Sequence, residues 1–482
     1  MTIPKEVKSI IDKLKKAEYE AYVVGGCVRD LLLGQKPKDW DITTNAKPEE
    51  IQKIFPKSFY ANKFGTVTIQ TGSEDKTLAE VEVTTYRIDE KYSDKRHPDK
   101  VRFAKTIKED LARRDFTVNA LALSEIKGMA KIIDPFHGQK DLKKKIIKAA
   151  GKPEERFNED ALRMLRAVRF ACTLGFDIEE KTFQAIQKNS GLIQFISKER
   201  IKDELIKIFE TKKAAEGIDL LKQINLLKYI FPELEKGAGV SQNKHHIYDI
   251  YEHSLRSLKV AAEKDFNLEV KFAALFHDIG KPETKEGEGP DSTFYNHDYV
   301  GAKIIFKILS RLKFPNKFTD KVVLLVRNHM FVSDPERLTD AGARRLIKRV
   351  GIENINDLIN LRVADRLGMG RPKEKPYRLR TIEYMIEKVS KDPISAKMLR
   401  INGNNIMKLL KIQPGPKVGA LLDVLLAEVI ENPEKNIKDY LEKRIKELDK
   451  KDLEGLRKMA QKKIEEKKEE EDLKIRGKYW IK

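Results

Sequence analysis

The pattern of hydrophobic and polar positions changes near residue 146. Before it, short runs rich in Val, Ile, Thr and Tyr alternate with turn residues, as in AYVVGG (21–26), GTVTIQT (65–71) and LAEVEVTTYR (78–87). Such runs are typical of β-strands. After it, apolar residues recur at helical spacing, as in EDALRMLRAVRFACTLGF (159–176). The pattern predicts an α+β protein, with a mixed-sheet head domain followed by helical domains.

The same pattern predicts five segments. A Pro/Lys-rich stretch at 371–380 marks a linker or turn between two helical parts, and the end of the chain is almost uniformly charged. We interpret that end as a solvated helix or a mobile tail, with no chemistry assigned to it. The segments are a head domain (1–145), a helical neck (146–235), a histidine-rich helical domain (236–372), a C-terminal helical region (373–450) and the charged tail (451–482).

Composition narrows the class of protein. The 482 residues include 96 Lys+Arg and 76 Asp+Glu, a net charge of +20, which favours a polyanionic partner such as nucleic acid. Only two cysteines, Cys27 and Cys172, are present, which excludes a disulfide-stapled or Cys-zinc protein. The N-terminus predicts an amphipathic helix, not a signal peptide, and no apolar run is long enough to span a membrane. We expect a soluble, cytoplasmic protein that does not associate with membranes; the sequence does not indicate its oligomeric state.

The first candidate site contains two aspartates. Asp39 and Asp41 stand two residues apart on a segment that we expect to be extended, so that both carboxylates share one face. Carboxylates brought together in this way repel each other unless a cation lies between them. Mg²⁺ prefers such oxygen ligands and keeps coordination positions open for phosphates.

Neighbouring residues extend this site. Gly25 and Gly26 permit close approach of the backbone to a ligand, and Arg29 in the following helical turn can bind phosphate. The third carboxylate of the predicted catalytic group is Glu82 on a neighbouring strand, with Glu80 as the alternative on the same face. Two metal ions held there could activate a hydroxyl and neutralise a leaving pyrophosphate.

A second pattern could select a nucleobase. Asp160 and Arg163 are spaced to share one face of a predicted helix. The carboxylate can accept from the exocyclic amine of cytosine or adenine, while the guanidinium donates to the adjacent ring nitrogen. Uracil and guanine present the opposite pattern and leave polar groups unpaired. The alternative is an ordinary surface ion pair.

Histidines are concentrated in a third region. Six of the eight lie between residues 245 and 329. His277 and Asp278 are adjacent and precede Ile-Gly-Lys, and Asp365 lies on a later predicted helix. Imidazole and carboxylate together suit a divalent transition metal, which can generate hydroxide for phosphoester hydrolysis.

The head motif, Gly-Gly-x-x-Arg-Asp followed by Asp-Trp-Asp, resembles that of the class II nucleotidyltransferases, the family of tRNA CCA-adding enzymes and bacterial poly(A) polymerases. The segment at 89–103 resembles the family's flexible loop, and KERIKDELIKIF (198–209) resembles a neck motif. LARRDFTVNALAL (111–123) resembles its ribose-selecting motif. The resemblance implies that Arg114, Asp115 and Asn119 lie near the ribose and triphosphate.

Two further resemblances follow. Glu159, Asp160 and Arg163 match the E-D-x-x-R motif that serves the nucleotidyltransferase family as a protein template, whereas Asp30 is usually structural in that family. The His…His-Asp…Asp order resembles the HD phosphohydrolase superfamily. That second resemblance implies four metal ligands, with Lys281 as a phosphate contact and His297 and His329 as contacts to substrate or to a second metal. The four ligands are His253, His277, Asp278 and Asp365.

Together these resemblances point to the HD-containing, CCA-adding branch of the family. They imply transfer of C, C and A from CTP and ATP to the 3′ end of tRNA without a nucleic-acid template, with the basic neck and C-terminal helices holding the tRNA. The HD module would act on phosphoesters or 2′,3′-cyclic phosphates. The alternatives are a poly(A) polymerase, a relative that adds only CC or only A, and an HD phosphohydrolase with an RNA-binding head. The full-length loop argues against a CC-only enzyme.

Overall fold

The protein is described here from a computed structural model, which covers residues 2–62, 65–90, 100–126, 129–243, 247–331, 339–390 and 399–481. It forms two compact units. The first contains residues 1–329 and 360–372, and the second contains 330–359 and 373–482. The unit boundary therefore falls inside the histidine-rich segment predicted at 236–372. Within the described residues, no helix combines the length and apolarity that crossing a membrane requires.

The head is built on a mixed seven-stranded sheet in the order β3-β4-β5-β2-β1-β8-β9. Its strands are β1 (Ala21–Val24), β2 (Asp41–Thr44), β3 (Ser58–Asn62), β4 (Thr66–Gln70), β5 (Glu80–Thr85), β8 (Ala122–Ile126) and β9 (Met129–Ile133). Strands β2 and β5 are parallel, whereas the other neighbours are antiparallel. The parallel pair brings Asp41 opposite Glu82. The predicted mixed sheet is confirmed.

Two small strand pairs and five helices complete the head and its junction with the neck. The pairs are β6 (Arg87–Glu90) with β7 (Lys100–Phe103), and β10 (Ile146–Ile147) with β11 (Asp177–Ile178). The helices are α1 (Lys5–Lys16), α2 (Gly26–Leu32), α3 (Pro48–Ile54), α4 (Ile107–Ala112) and α5 (Gly138–Lys144). Val23, Ile42 and Val83 have no exposed surface and form the centre of this core. Because successive strand residues point to opposite faces, burying Val83 leaves Glu82 on the open face.

Helices account for the rest of the first unit. Phe209 of α9 stacks on Phe272 of α14, with ring centroids 3.9 Å apart, so the neck and the histidine-rich segment share a core. Helix α19 begins in the second unit and ends in the first. The helices are α6 (Pro153–Glu159), α7 (Leu162–Leu174), α8 (Glu180–Asn189), α9 (Lys198–Phe209), α10 (Ala214–Gln223), α11 (Leu227–Ile230), α12 (Pro232–Glu235), α13 (Ile250–Glu263), α14 (Leu268–Phe276), α15 (Lys281–Thr284), α16 (His297–Arg311), α17 (Asn316–Asn328) and α19 (Ile355–Gly368).

The second unit is helical and includes the charged tail. It contains α18 (Asp340–Val350), α20 (Tyr377–Ser390), α21 (Gly403–Leu410), α22 (Pro416–Glu431), α23 (Lys438–Leu448) and α24 (Leu453–Tyr479). Helix α24 packs on α20 and α22, buries Leu456 and Ala460, and is tied to α20 by a hydrogen bond between Tyr384 and Asp472. Of the two interpretations of the tail, the structure has the helix, and that helix belongs to the core of the second unit.

Candidate functional site

The turn between β1 and α2 is the centre of the first site. Gly25 lies there with φ +81°, a left-handed backbone conformation that side chains disfavour. A Cβ atom on Gly25 would lie 2.7 Å from Nη1 of Arg114 and 3.6 Å from Oδ2 of Asp41. The absence of a side chain therefore lets a guanidinium and a carboxylate both approach the turn.

Three carboxylates meet beside this turn. Asp41 is the first residue of β2 and lies opposite Glu82 on β5. Asp39 is exposed and lies in a bend before the strand, so the expectation that one extended segment carries both aspartates is wrong for Asp39. Glu80 pairs with Gln70 and lies ahead of the part of β5 that pairs with β2, which favours Glu82 as the third carboxylate.

The electrostatics of Asp41 fit a cation site. Burial raises its pKa to about 6, opposed by the charge of Arg114 and reinforced by repulsion from Asp39 and Glu82. A carboxylate in this position is stabilised when a cation compensates for its lost hydration and for its acidic neighbours. Asp41 and Glu82 in the sheet, together with Asp39 in the bend before β2, offer the oxygen-rich donor set that a hard divalent ion prefers.

The residues of the ribose-selecting motif form a continuous hydrogen-bonded chain with Arg29. Nη1 of Arg29 donates to Oδ1 of Asn119 (2.7 Å), and Nδ2 of Asn119 donates to Oδ1 of Asp115 (3.1 Å). Arg166 donates to the other oxygen of Asp115 from Nε (2.9 Å) and from its second terminal nitrogen (2.6 Å). Burial alone would raise the pKa of Asp115. The charge of Arg166 and the hydrogen bonds from Arg166 and Asn119 outweigh burial and hold the pKa of Asp115 well below its usual range.

The chain continues into the neck through residues that the sequence analysis missed. Arg166 and Arg169 on α7 both form ion pairs with the buried Glu204 on α9. With Arg163 these arginines recur every three residues, which places them along one face of the helix. That spacing was the feature of the sequence from which these arginines could have been identified. Their contacts join Asp115 to helices α7 and α9.

The predicted base-selecting pair has a different geometry from the one expected. Asp160 is not in a helix with Arg163: it follows the end of α6, in extended conformation, and α7 begins at Leu162. The carboxylate of Asp160 accepts from the backbone N–H of Leu162 at 3.0 Å. A short polar side chain that accepts from a backbone N–H two residues on is a common way to begin a helix, and it explains the break.

The two side chains also have separate ion-pair partners. Arg200 donates to both oxygens of Asp160, at 3.3 and 2.7 Å. Arg163 donates to Glu159 (2.6 Å) and to the backbone carbonyl of Arg113 (2.9 Å). Arg200 belongs to the KERIKDELIKIF motif, which the sequence analysis recognised as a neck motif. The sequence therefore contained the information, but no contact with Asp160 was predicted for Arg200.

The second site is a buried cluster in the helical part of the first unit. His253 lies on α13, His277 and Asp278 follow α14, and Asp365 lies on α19. All four are at most 4% exposed. Nε2 of His253 lies 3.1 Å from Nε2 of His277 and 3.2 Å from Oδ1 of Asp365. The four predicted ligands are therefore brought together.

Asp278 joins this cluster to a second triad. Its Oδ2 lies 3.3 Å from Nε2 of His277, while its Oδ1 lies 3.5 Å from Nε2 of His297 and 3.7 Å from Nε2 of His329. The result is two groups of three ligand residues, with the side chain of Asp278 between them. The groups are His253, His277 and Asp365, and Asp278, His297 and His329.

Backbone carbonyls orient three of the imidazoles. Nδ1 of His277, His297 and His329 lies 2.9, 2.7 and 2.7 Å from the carbonyl oxygen three residues earlier. Donation from Nδ1 fixes the tautomer that leaves Nε2 as the ligand atom, and Nε2 points into the cluster. A helical His with this hydrogen bond is therefore oriented before any metal binds.

The charges of the cluster would suit a cation. Burial lowers the pKa of His277, yet the carboxylates of Asp278 and Asp365 outweigh it and raise that pKa to about 10. Lys281 donates to Asp278 at 2.6 Å and to Gln242 at 2.6 Å. In this arrangement a proton on His277 balances buried carboxylates, and a divalent cation would take the place of that proton.

Two predicted features lie outside the described residues. The first is the middle of the loop expected at 89–103, residues 91–99. The second is the histidine pair His245 and His246 of the histidine-rich region. The described ends of the loop form the antiparallel pair of β6 and β7.

Three family models match different parts of the chain. The family model described as the poly A polymerase head domain matches residues 21–148. The model described as the probable RNA and SrmB-binding site of polymerase A matches 175–237, and the HD domain model matches 250–370. A CCA-adding enzyme from Lactococcus lactis is 33% identical over 89% of this chain and 94% of that enzyme. The chain belongs to the CCA-adding enzyme family.

Other members of the family are similar to different extents. A CCA-adding enzyme from Ligilactobacillus salivarius is 48% identical, but over 47% of this chain and 55% of that enzyme. An A-adding tRNA nucleotidyltransferase from Deinococcus radiodurans is 33% identical over 84% of this chain and 90% of that enzyme. The crystal structure of the Bacillus stearothermophilus CCA-adding enzyme in complex with CTP covers 93% of this chain and 98% of its own, with 29% identity and a TM-score of 0.59.

Proposed function

We propose that this chain adds C, C and A from CTP and ATP to the 3′ end of tRNA without a nucleic-acid template. Similarity to CCA-adding enzymes over nine-tenths of the chain supports this function. The structural observation that carries it is the register of Asp41 with Glu82, beside the Gly25 turn and the guanidinium of Arg114. A function in tRNA processing also implies a cytoplasmic location.

In this proposal Asp39, Asp41 and Glu82 hold Mg²⁺. When bound there, the ion would lower the pKa of the attacking 3′-hydroxyl and neutralise the charge of the leaving pyrophosphate. The Gly25–Gly26 turn and Arg29 bind the triphosphate, with Arg114 alongside it. Asp115 and Asn119 face the ribose region, where hydrogen bonds to the 2′-hydroxyl select ribonucleotides.

Asp160 and Arg163 retain hydrogen-bonding capacity for a base. A guanidinium has five N–H donors, and Arg163 uses three, to Glu159 and to the carbonyls of Arg156 and Arg113. Among the residues that the structure describes, one oxygen of Asp160 accepts from Leu162 and Arg200, whereas the other accepts from Arg200 alone. Asp160 can therefore accept from an exocyclic amine while Arg163 donates to a ring nitrogen, which favours C and A over U and G.

The test of this proposal is incorporation of single nucleotides. A tRNA transcript without its CCA end is expected to take two C residues from CTP alone and no A from ATP alone. Asp41→Asn is expected to lower the rate at least 100-fold, while Glu80→Gln on the same strand leaves it unchanged. Incorporation that survives Asp41→Asn, or that requires Glu80, would contradict the assignment of the metal site.

A second activity is proposed for the histidine cluster, because two groups of three possible ligand residues lie side by side, with the side chain of Asp278 between them. His253, His277 and Asp365 would hold one divalent transition metal, and His297 and His329 a second, with Asp278 contributing to both. Metal ions held by these residues would activate water for hydrolysis of phosphoesters, including 2′,3′-cyclic phosphates. Lys281, fixed by Asp278 and Gln242, lies where it can contact a phosphate.

Metal stoichiometry tests this second activity. Calorimetric titration of the apoprotein with Mn²⁺ or Ni²⁺ is expected to give two sites, and His297→Ala is expected to leave one. Hydrolysis of a 2′,3′-cyclic nucleotide should require the metal and be lost in His297→Ala. Binding of a single ion in the unaltered protein, with His297→Ala unchanged, would contradict the two-metal arrangement.

A further inference from the structure

A buried acid of the neck helix α9 holds two arginines of α7. Glu204 is 4% exposed. Its Oε2 accepts from Nε of Arg169 at 2.5 Å, and its Oε1 lies 3.9 Å from Nη1 of Arg166. Lys207, on the same helix, donates to Oε1 at 3.4 Å. Because a buried carboxylate is costly unless cations compensate for it, these ion pairs fix the positions of both arginines.

Arg166 lies between two carboxylates. Its Nε and Nη2 donate to Oδ2 of Asp115, at 2.9 and 2.6 Å, while Nη1 faces Glu204. Burial lowers the pKa of Arg166, but the charges of Asp115 and Glu204 outweigh it and hold that pKa above its usual value. Burial also lowers the pKa of Arg169, opposed by Glu204 and reinforced by the charge of Arg166. The two guanidiniums therefore repel each other, and Glu204 compensates for that repulsion.

An aromatic ring joins the other end of this network. Phe170 of α7 is 5% exposed, and its ring meets that of Phe116 edge to face, with centroids 5.7 Å apart. The guanidiniums of Arg169 and Arg29 lie 3.8 and 5.4 Å from the Phe170 centroid, within the range of a cation–π contact. The contacts therefore close on themselves. The closed network consists of Glu204, Arg166, Asp115, Asn119, Arg29, Phe170 and Arg169.

Asp115 accepts four hydrogen bonds within the protein. Two come from Arg166 to Oδ2, and two reach Oδ1, from the backbone N–H of Phe116 (2.8 Å) and from Nδ2 of Asn119 (3.1 Å). A carboxylate offers about four acceptor positions. The place at which Asp115 and Asn119 meet a ribose is therefore set by their protein partners, and Arg166 supplies half of the hydrogen bonds.

We propose that Glu204 is a positioning residue for ribose selection, which acts on Asp115 through Arg166. Its carboxylate keeps two like-charged guanidiniums side by side. Without that charge they would separate, and Arg166 would carry Asp115 and its partner Asn119 away from the 2′-hydroxyl of the nucleotide. The proposal rests on the proposed function, which places a ribonucleoside triphosphate at this site.

Helix α9 also keeps sugar selection apart from base selection. Arg200 and Glu204 are four residues apart and share one face of the helix. Arg200 donates to Asp160 of the base-selecting pair, whereas Glu204 pairs with the arginines of the network. A change at Glu204 should therefore alter the choice of sugar and leave the choice of base unchanged.

The test compares CTP with dCTP, which differ only in the 2′-hydroxyl. Glu204→Gln removes the charge with little change of shape, and Glu199→Gln makes the same change at an exposed position of α9. The measured quantity is the ratio of kcat/KM for CTP to that for dCTP, on tRNA lacking its CCA end. In Glu204→Gln this ratio should fall about tenfold, the effect of about one misplaced hydrogen bond, with the loss falling on CTP. Glu199→Gln should keep the ratio within about twofold, and both variants should keep the preference for CTP over UTP.

A second variant tests the path from Glu204 to Asp115. Arg166→Lys keeps the charge but lacks the planar fork that donates twice to Asp115, and it changes a side chain that is 33% exposed, so it also serves if Glu204→Gln does not fold. It should lower the ratio about as much as Glu204→Gln does. The double variant should lower it no further, because both changes act through one path. Glu204→Asp retains the charge and should recover part of the ratio.

Several results would overturn the proposal. One is an equal loss of CTP and dCTP transfer in Glu204→Gln, which is the result expected of a merely structural residue. Others are an unchanged ratio in Arg166→Lys and effects of the two changes that multiply in the double variant.

Nucleotide binding separates this proposal from the proposed function. Calorimetric titration with CTP and with dCTP, without tRNA, gives the preference for ribose as a ratio of dissociation constants. If the unaltered protein transfers no nucleotide, the proposed function fails, yet a preference for CTP that is lost in Glu204→Gln still supports the role of Glu204. In the absence of transfer, equal binding of CTP and dCTP by the unaltered protein overturns it.

Discussion

Asp41→Asn should make the metal-free protein more stable while abolishing nucleotide transfer. Burial of the Asp41 carboxylate, opposed by the charge of Arg114 and reinforced by those of Asp39 and Glu82, raises its pKa from 3.8 to about 6. The folded state therefore binds the proton more tightly than the unfolded chain does, and the ionised carboxylate lowers stability. Asparagine has nearly the same shape and no charge, so it removes this cost.

The magnitude follows from the difference in pKa. A difference of about 2 pKa units, at about 1.4 kcal/mol for each, gives a cost of about 3 kcal/mol once Asp41 is ionised in both states. The cost is complete above about pH 7 and declines as the pH falls through 6, because the folded state then takes up the proton. At pH 4 about 0.5 kcal/mol remains, so the advantage of Asp41→Asn should nearly disappear there.

Fluorescence of the adjacent tryptophan can measure this change. The chain has two tryptophans, of which Trp40 is 3% exposed and Trp480 is 79% exposed. In a Trp480→Phe background, urea unfolding followed at Trp40 therefore reports on the head domain. Measurements with EDTA at pH 8 and pH 4 give the two free energies, and adding Mg²⁺ at pH 8 should stabilise the Asp41 protein but not Asp41→Asn.

The control is Glu80→Gln, which removes a charge from an exposed position on β5 outside the carboxylate group. It should change the free energy of unfolding by less than about 0.5 kcal/mol at either pH. The reasoning would be refuted if Asp41→Asn lowered the free energy of unfolding at pH 8, or if it raised that free energy equally at pH 8 and pH 4. Either result would mean that the ionised Asp41 carboxylate does not destabilise the metal-free protein.

Three further predictions concern other parts of the molecule. Gly25→Ala would place a Cβ 2.7 Å from Arg114 at a left-handed φ, and steady-state incorporation of CTP should fall at least about tenfold, because the strain alone costs about 1–2 kcal/mol. Arg200→Gln removes the two hydrogen bonds that fix the carboxylate of Asp160. In competition between CTP and UTP, this variant should incorporate U about tenfold more often than the unaltered protein does. Unchanged selectivity would show that Arg200 does not position Asp160. Asp278→Asn should reduce bound metal from two ions to fewer than one in elemental analysis, while incorporation into tRNA stays normal.

The sequence predicts the architecture of the head well because each short strand has a recognisable local sequence. β-branched runs bounded by turns indicated β2, β4 and β5, and the Gly-Gly pair indicated the turn before α2. The residue register cannot be obtained in this way. That Asp41 lies opposite Glu82 depends on the order of strands in the sheet, which joins β2 and β5 in parallel although two other strands lie between them in the chain.

Helical periodicity misled the prediction at Asp160. The helical spacing of residues 159–176 predicted one helix that carries both Asp160 and Arg163, but the Asp160 side chain accepts from the backbone and precedes a new helix. The partners of a buried charge are equally invisible in sequence. Arg200 and Glu204 reach their partners from a helix about 40 residues away, and only tertiary packing brings them together.

The histidine cluster shows the opposite case. Its four proposed ligands were inferred from the resemblance to the HD superfamily, and the structure brings them together. The resemblance left open whether His297 and His329 contact substrate or a second metal, and the structure places both beside Asp278.

The most direct test of the central claim is sequencing of the 3′ ends formed on a tRNA lacking its CCA, with Mg²⁺ and all four nucleotides present. The account predicts C, C and A in that order and then no further addition. Long A tails would instead make the chain a poly(A) polymerase, and a single A added only to tRNA ending in CC would make it an A-adding relative. No addition to any acceptor would contradict the assignment of the head as a nucleotidyltransferase.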